Sequence, residues 1–254
     1  MSDKSVRNTM IYHINNTTST NDEARGEHYK HMDVIWSEHQ TEGRGQRGHS
    51  WHSTEGENLT FSVVLHPTFL PIVEQFLLSE VVALALVDAM AEYGIECRIK
   101  WTNDIYARDS KLVGVLIEHS LAGDTLARTI VGIGLNVNQT EFPSDLPNPT
   151  SMALQRSAKF DREQVLRCFM HKLEEWYDVL LSGDKQLVET TYVSRMYHLL
   201  EEHPYMLPSG EVVRARIRGV RPSGELILEH DNGTVSEYAF KEIEFVLPHK
   251  SVQK

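Results

Sequence analysis

Apolar positions recur with two periods along this chain, and the change between them outlines the elements. From Asn58 to His66, Leu59, Phe61, Val63 and Leu65 alternate with Thr60, Ser62 and Val64, the two-residue period of a strand. Met10 to Ile14 and Asp33 to Gln40 read as further strands. Pro71 to Tyr93 is the longest helix candidate, so densely apolar that most of its surface should be buried; Gly94 stops it. Strand-like runs follow at Glu96 to Trp101, Lys111 to Glu118 and Thr125 to Asn138. Asn103 to Ser110 reads as a connection, with turns at Asp109-Ser110 and Ala122-Gly123-Asp124.

A polar helix is expected from about Asp22 to Tyr29, with Thr20 and Glu23 at capping-box spacing. Phe142 to Pro149 holds three prolines and must be irregular. Thr150 or Ser151 can cap a short helix through Gln155. Asp161 can cap a longer one to Leu181, broken by Gly183 and Asp184, and another helix runs on towards Tyr197. After Glu202 the character changes, and His203-Pro204 marks a boundary. Short strands at Val212 to Ile217, Leu226 to Glu229, Val235 to Phe240 and Ile243 to Leu247 alternate with turns at Ser223-Gly224 and Asp231-Asn232-Gly233. Two domains are expected, residues 1–202 and a small β domain over 203–254.

Charge narrows the function classes. The 254-residue chain has a formal net charge of -11, which argues against nucleic acid as a partner. The apolar run Phe76 to Met90 is too short for a bilayer and carries Ser79, Glu80 and Asp88, so no membrane association is expected. Cys97 and Cys168 form no metal-ligand spacing and read as buried, reduced thiols of a cytoplasmic protein. The start of the chain lacks the apolar core of a signal peptide.

The candidate chemistry begins in the loop Gly43-Arg44-Gly45-Gln46-Arg47-Gly48-His49. Its glycines satisfy G-x-G-x-x-G and nearly satisfy a P-loop, with His49 where lysine is required. Both patterns must open a helix, whose N-terminus binds phosphate, and here a strand follows instead. The glycines still allow close backbone approach, and Arg44 and Arg47 suit phosphate or carboxylate. Lys100-Trp101-Thr102-Asn103-Asp104 sets a cation, an aromatic ring and a carboxylate at a strand end. Lys111 starts an apolar strand that contains Gly114. Gly132-Ile133-Gly134-Leu135-Asn136-Val137-Asn138 interrupts another with two glycines, which suggests that something packs closely on its backbone.

Each motif alone is weak, but their order is specific. Thr18-Ser19-Thr20-Asn21, Gln40 before Gly43-Arg44-Gly45, Trp51, Lys100 to Asp104, Lys111 to Gly114 and Gly132 to Asn138 together resemble the catalytic domain of biotin protein ligases over about Ile11 to Leu181. Gly219 to Leu226 looks like the family's small SH3-like domain. The resemblance implies an α+β fold: a mixed sheet like that of class II aminoacyl-tRNA synthetases, with helices, plus a small C-terminal SH3-like β-barrel. It implies an enzyme that makes biotinyl-5′-adenylate from biotin and ATP with Mg²⁺, then transfers biotin to a lysine of a biotin carboxyl carrier domain of a carboxylase.

By position in the resemblance, Ser19, Thr20, Asn21 and Gln40 meet the biotin head group. Gly43, Arg44 and Gly45 close over its carboxylate and the α-phosphate. Lys111 neutralises charge between them, while Gly114 and Gly132 let the ligand lie on strand backbone. Arg47, Trp51, Asn103 and Asn136 serve the nucleotide, with Trp51 on adenine. Asp104 stands near Mg²⁺ or the incoming lysine, as metal ligand, base or orienter; Arg44, Lys111 and Asp104 are the catalytic set. Three departures stand out: Thr102 where the family has proline, and Gln46 and His49 where it commonly has arginine. Many bacterial relatives carry an N-terminal winged helix; since the resemblance begins by about Met10, the short form without a DNA-binding domain is expected. Lipoate protein ligase chemistry on the same fold, or a non-catalytic biotin sensor, are the alternatives, and a homodimer is compatible with the sequence.

Overall fold

The computed structural model describes residues 9–46 and 50–247. The chain divides into two compact units: Met1–Ile72 with Val113–Gln139, and Val73–Leu112 with Thr140–Lys254.

The first unit is a mixed sheet with one short helix. Its strands are β1 (Ile11–Thr17), β2 (Val34–Gln40), β3 (Leu59–Leu65), the part of β6 (Ser110–Ala122) from Val113 onward, and β7 (Thr125–Leu135). Their order is β1-β2-β3-β7-β6. β1 and β2 are parallel, and the other neighbours here are antiparallel. Register explains the alternation seen in β3. Phe61 pairs with Ile133 and Val63 with Val131, while Val115 and Ile117 pair with the same two residues from β6, so the middle of this face is apolar. The other face is graded. At one end Ile35, Val64 and Ile130 cluster with Ala24 and Tyr29. At the other end Ser37, Thr60, Gly134 and Gly114 lie side by side across four strands, and Ser62 and Gly132 form the next row.

The expected helix from Asp22 to Tyr29 is a single turn, α1 (Thr20–Glu23). Two features account for this. Arg128 donates from its guanidinium to the carbonyls of Ala24, Arg25 and Gly26, which removes the acceptors a further turn would use. The capping box does not form either. Ser19, not Thr20, is the N-cap, and the Glu23 carboxylate accepts from the Tyr29 hydroxyl.

The second unit is built around α2 (Phe76–Glu92), preceded by a 3-10 turn at Ile72–Glu74. Apolar side chains on nearly every side of α2 are buried, as its composition predicts, against α4 (Arg162–Leu181), α5 (Lys185–Ser194), β4 (Cys97–Lys100) and β5 (Asp104–Ala107). Gly94, at φ 66°, takes the left-handed turn that ends it. Ser151 caps α3 (Met152–Arg156), Asp161 caps α4 and Asp184 caps α5, each accepting from the backbone amide three residues on. β5 was expected to be connection. The Arg108-Asp109 turn, with Arg108 at φ 54°, returns it to the first residues of β6. Cys97 is buried and Cys168 only half-buried; both are free thiols. No helix among the described residues is long and apolar enough to cross a membrane.

The same unit holds a five-stranded antiparallel sheet: β8 (Glu202–Met206), β9 (Val212–Val220), β10 (Leu226–His230), β11 (Val235–Tyr238) and β12 (Glu244–Phe245), in the order β11-β10-β9-β8-β12. His203 and Pro204, expected at a boundary, lie inside β8. Pro204 offers no amide, but its carbonyl accepts from Val246 at 3.2 Å.

Glu80 is the one charged side chain buried within α2. Its Oε2 has no hydrogen-bond partner among the described residues, and burial, then the nearby Glu189, pushes its carboxyl up to about 8. The folded protein therefore holds Glu80 neutral where the unfolded chain ionises. Stability from this group is full below about pH 4.5 and is lost as pH rises towards 8. Glu80→Gln should flatten that decline. Its melting temperature should exceed the native value at pH 8 by more than it does at pH 5, which thermal denaturation at the two pH values reads directly.

Candidate functional site

In the first unit the small-residue face is covered from above by the turn that opens α1. Thr20 and Asn21 are buried there. The Ser62 hydroxyl lies 2.6 Å from Asn21 Oδ1 and 2.8 Å from Thr20 Oγ1. The Thr20 amide donates to Gln40 Oε1 at 2.7 Å. Asn21 Nδ2 donates to Glu118 at 2.8 Å, and Glu118 also holds Arg25. The cluster works only because Gly132 lacks a side chain: a Cβ there would sit 2.3 Å from Asn21 Oδ1. Gly132 was expected to bare its backbone to a ligand; the space it leaves holds the Asn21 amide.

Gly134 makes room in the same way for Trp51. Its hypothetical Cβ would lie 2.1 Å from the indole Cε2, so the ring rests on the backbone of β7. The loop that delivers Trp51 has a paired neck. Arg44 bridges Ser50, and the Trp51 amide donates to the Gly43 carbonyl at 2.9 Å. Gly43 cannot carry a side chain, because a Cβ would meet the Trp51 carbonyl at 2.5 Å. Beyond the neck, Asn58 locks the return into β3. Its Nδ2 donates to Gln139 and Ser53, and its Oδ1 accepts from the Val137 amide. Asn136, beside Val137, is buried.

Arg44 makes a two-pronged pair with Asp22, at 2.8 Å and 2.7 Å. The Arg44 guanidinium holds the Asp22 carboxyl below its ordinary range, and Asp22 raises Arg44 in return. Both side chains are about 40% exposed, so the pair stabilises by at most about 1 kcal/mol. It fixes the direction of the guanidinium more than it holds the fold. Gly45 follows Arg44 in the loop. Gln46 Oε1 is buried with no partner among the described residues. Arg47 and His49 lie outside the described residues.

The second unit carries the Lys100 motif. Lys100 and Asp104 close the β4-β5 hairpin as its last pair, with Trp101, Thr102 and Asn103 turning between them. The Trp101–Thr102 peptide is cis. Asp104 Oδ1 lies 2.7 Å from Lys111 Nζ, and Oδ2 lies 3.9 Å from Lys100 Nζ. One carboxylate is thus flanked by two ammonium groups. Lys100 is packed between the rings of Tyr106 and Phe245, at 5.4 Å and 4.9 Å from their centroids. Burial lowers its pKa and the adjacent Asp104 opposes that, while the like charge of Lys111 adds to the lowering. Trp101 donates from its indole to the Gly224 carbonyl at 2.9 Å. This donor set does not fit a cation. Both Asp104 oxygens face ammonium groups, and the described residues hold no cluster of three His, Cys, Asp or Glu able to grip a metal. Asp104 lies between two lysines.

Sequence reasoning missed Ser62, Glu118 and Asp22. For Ser62 a signal existed: Thr60 and Ser62 are the polar members of an otherwise apolar strand and must share a face. Asp22 and Glu118 carried no local signal, since their partners are far along the chain.

The model of the biotin/lipoate A/B protein ligase family matches residues 10–136, half of the chain. The bifunctional ligase/repressor BirA of Bacillus subtilis is 30% identical over 249 residues, covering 91% of this chain and 72% of the relative. The biotin–[acetyl-CoA-carboxylase] ligase of Mycobacterium tuberculosis is 29% identical over 207 residues, covering 80% of this chain and 75% of the relative. The crystal structure of the Aquifex aeolicus biotin protein ligase in complex with biotin and ATP superposes with a TM-score of 0.80 at 25% identity, over 94% of this chain and 99% of that one. The chain therefore belongs to the biotin/lipoate A/B protein ligase family.

Proposed function

We propose that this protein joins biotin to ATP, releasing pyrophosphate and forming biotinyl-5′-adenylate, and then passes biotin to a lysine of a carboxylase carrier domain with loss of AMP. The observation that carries the choice of biotin is the polar cluster of buried Thr20, Asn21 and Ser62 with half-buried Gln40 over the glycine floor. A ureido head group offers two N–H donors and a carbonyl acceptor to such a cluster. The dithiolane of lipoate offers none, and would leave desolvated polar groups unmatched at about 1–3 kcal/mol each.

The remaining roles follow by position. Arg44 exchanges one carboxylate, that of Asp22, for the substrate's carboxylate and the α-phosphate. Lys111 neutralises negative charge as the carboxylate attacks phosphorus. Asp104 holds the two lysines in place, while Arg47, Asn103 and Asn136 serve the nucleotide. Trp51, laid on Gly134, packs against adenine. Magnesium would supply charge neutralisation to the triphosphate; the residues described above do not by themselves form a site for it. The acceptor amine attacks the acyl carbon, the amide forms, and AMP leaves with the electron pair of the broken bond.

Incubation with labelled biotin or lipoate, ATP and a carrier domain of each kind tests the reading. Transfer of biotin alone, with pyrophosphate release dependent on biotin, is the expected result. Lipoate transfer overturns the substrate assignment, and biotin binding without pyrophosphate release would indicate a sensor.

Gln46 bears on retention of the adenylate. It cannot neutralise a phosphate as arginine would, and its side-chain oxygen is buried without a partner among the described residues. Gln46→Arg should slow release of the adenylate severalfold, since one added charge-assisted hydrogen bond is worth about 1.5–3 kcal/mol before desolvation. Trapping of released adenylate in the absence of carrier measures it; an unchanged or faster off-rate rejects the idea.

A further inference from the structure

We infer that Tyr197, in the segment joining α5 to β8, is a positioning residue for Lys111. The inference rests on the role given to Lys111 above. The turn that precedes Lys111 is gripped on several sides. The Tyr197 hydroxyl donates to Asp109 Oδ1 at 2.6 Å. Asn148 Nδ2 donates to the Asp109 carbonyl at 2.7 Å. Both backbone groups of Lys111 are engaged: its amide donates to the Asn148 carbonyl at 2.8 Å, and its carbonyl accepts from the Thr150 amide at 2.9 Å. Asp109 is two residues from Lys111, and between them lies only Ser110, the first residue of β6.

Tyr197 is itself held without play. The Ile99 amide donates to the Arg195 carbonyl at 2.9 Å, and the Tyr197 amide donates to the Ile99 carbonyl at 2.8 Å, so this segment runs as an extra partner along β4. Arg195 is tied to Asp88 on α2, which also accepts from the Trp176 indole. The Tyr197 ring is buried and packs 5.3 Å from the ring of Tyr106, one of the two rings that enclose Lys100. One phenol thus links the backbone beside Lys100 to the turn that launches Lys111. Asp104 receives both lysines, so a shift of the turn moves Lys111 Nζ off a 2.7 Å contact. Nothing in the local sequence marks Tyr197, because Ile99, Tyr106 and Asp109, which it touches, are distant along the chain.

Tyr197→Phe keeps the ring and removes only the hydroxyl. In the full chain, amide hydrogen exchange over residues 108–112 should accelerate about 10-fold or more, the loss expected for one hydrogen bond to a charged acceptor. The kcat of biotin-dependent pyrophosphate release should fall about 10-fold, with KM for biotin within about twofold, as misplacement of a group acting in the transition state requires. Asp109→Asn retains an oxygen acceptor and should behave closer to the native protein than Asp109→Ala. Asp109 is exposed, so neither variant endangers the fold. Adding Tyr197→Phe to Asp109→Ala should cost nothing further. Unchanged exchange at 108–112, or an effect on KM alone, overturns the inference. Accelerated exchange in a protein whose native form releases no pyrophosphate with biotin leaves Tyr197 as the anchor of the turn and overturns the proposed function instead.

Discussion

Lys111→Ala should lower biotin-dependent pyrophosphate release by about 10²- to 10³-fold, the cost of removing one preorganised charge from a site where charge develops. The structure makes the expectation sharper than the motif alone does. Lys111 Nζ lies 2.7 Å from Asp104 Oδ1, its backbone is hydrogen-bonded on both sides, and its side chain is only one-third exposed. Its loss leaves Asp104 to Lys100, which stands 3.9 Å away and is confined between two rings. Lys100 cannot follow the vacated charge without leaving Tyr106 and Phe245. The fall should therefore be in kcat, with the affinity for biotin close to native, since the Thr20, Asn21 and Ser62 cluster contains no part of this charge set. Lys111→Arg restores charge but not shape and should recover only part of the rate. A Lys111→Ala enzyme within threefold of native would remove Lys111 from the chemistry.

Strong periodicity and strong caps were legible in the sequence; features set by distant partners were not. β3, β7, α2, α4 and the caps at Ser151 and Asp161 follow from local pattern. β5 was passed over because its four residues, Asp104–Ala107, are too few to display a period and are bracketed by turn residues. β8 was hidden by Pro204, which reads as a breaker yet needs no amide where it sits. At Thr20 a local cue lost to tertiary structure: its amide goes to Gln40 and its hydroxyl lies beside Ser62, so nothing is left for a capping box. The glycines show the same division. Their need for close approach was legible, but what approaches was not: Asn21 on Gly132 and Trp51 on Gly134 come from other strands' connections. The lysine motifs were recognised as chemistry by their order, whereas Asp22, Glu118 and Tyr197, which aim Arg44, Asn21 and the Lys111 turn, were not.

Gly132→Ala is the smallest change that should disable the proposed biotin pocket. The added Cβ would lie 2.3 Å from Asn21 Oδ1 and 2.9 Å from its Cγ, inside any tolerable contact. Asn21 has nowhere to retreat. Its oxygen meets Ser62 at 2.6 Å, its nitrogen meets Glu118 at 2.8 Å, and the residue is 97% buried. β7 cannot yield either, because Gly132 is paired on one side with Ser62 and on the other with Leu116. Displacing Asn21 breaks two hydrogen bonds and leaves buried groups unsatisfied at about 1–3 kcal/mol each. That corresponds to about 30- to 20,000-fold in biotin affinity, where 1.4 kcal/mol is tenfold. The affinity for ATP should change far less, because the proposal gives Asn21 to the head group and the charged groups to phosphate. Titration calorimetry with each ligand separates the two effects. A variant that binds biotin as the native protein does would show that Asn21 can be moved without loss, and would strip the polar cluster of its place in choosing biotin over lipoate.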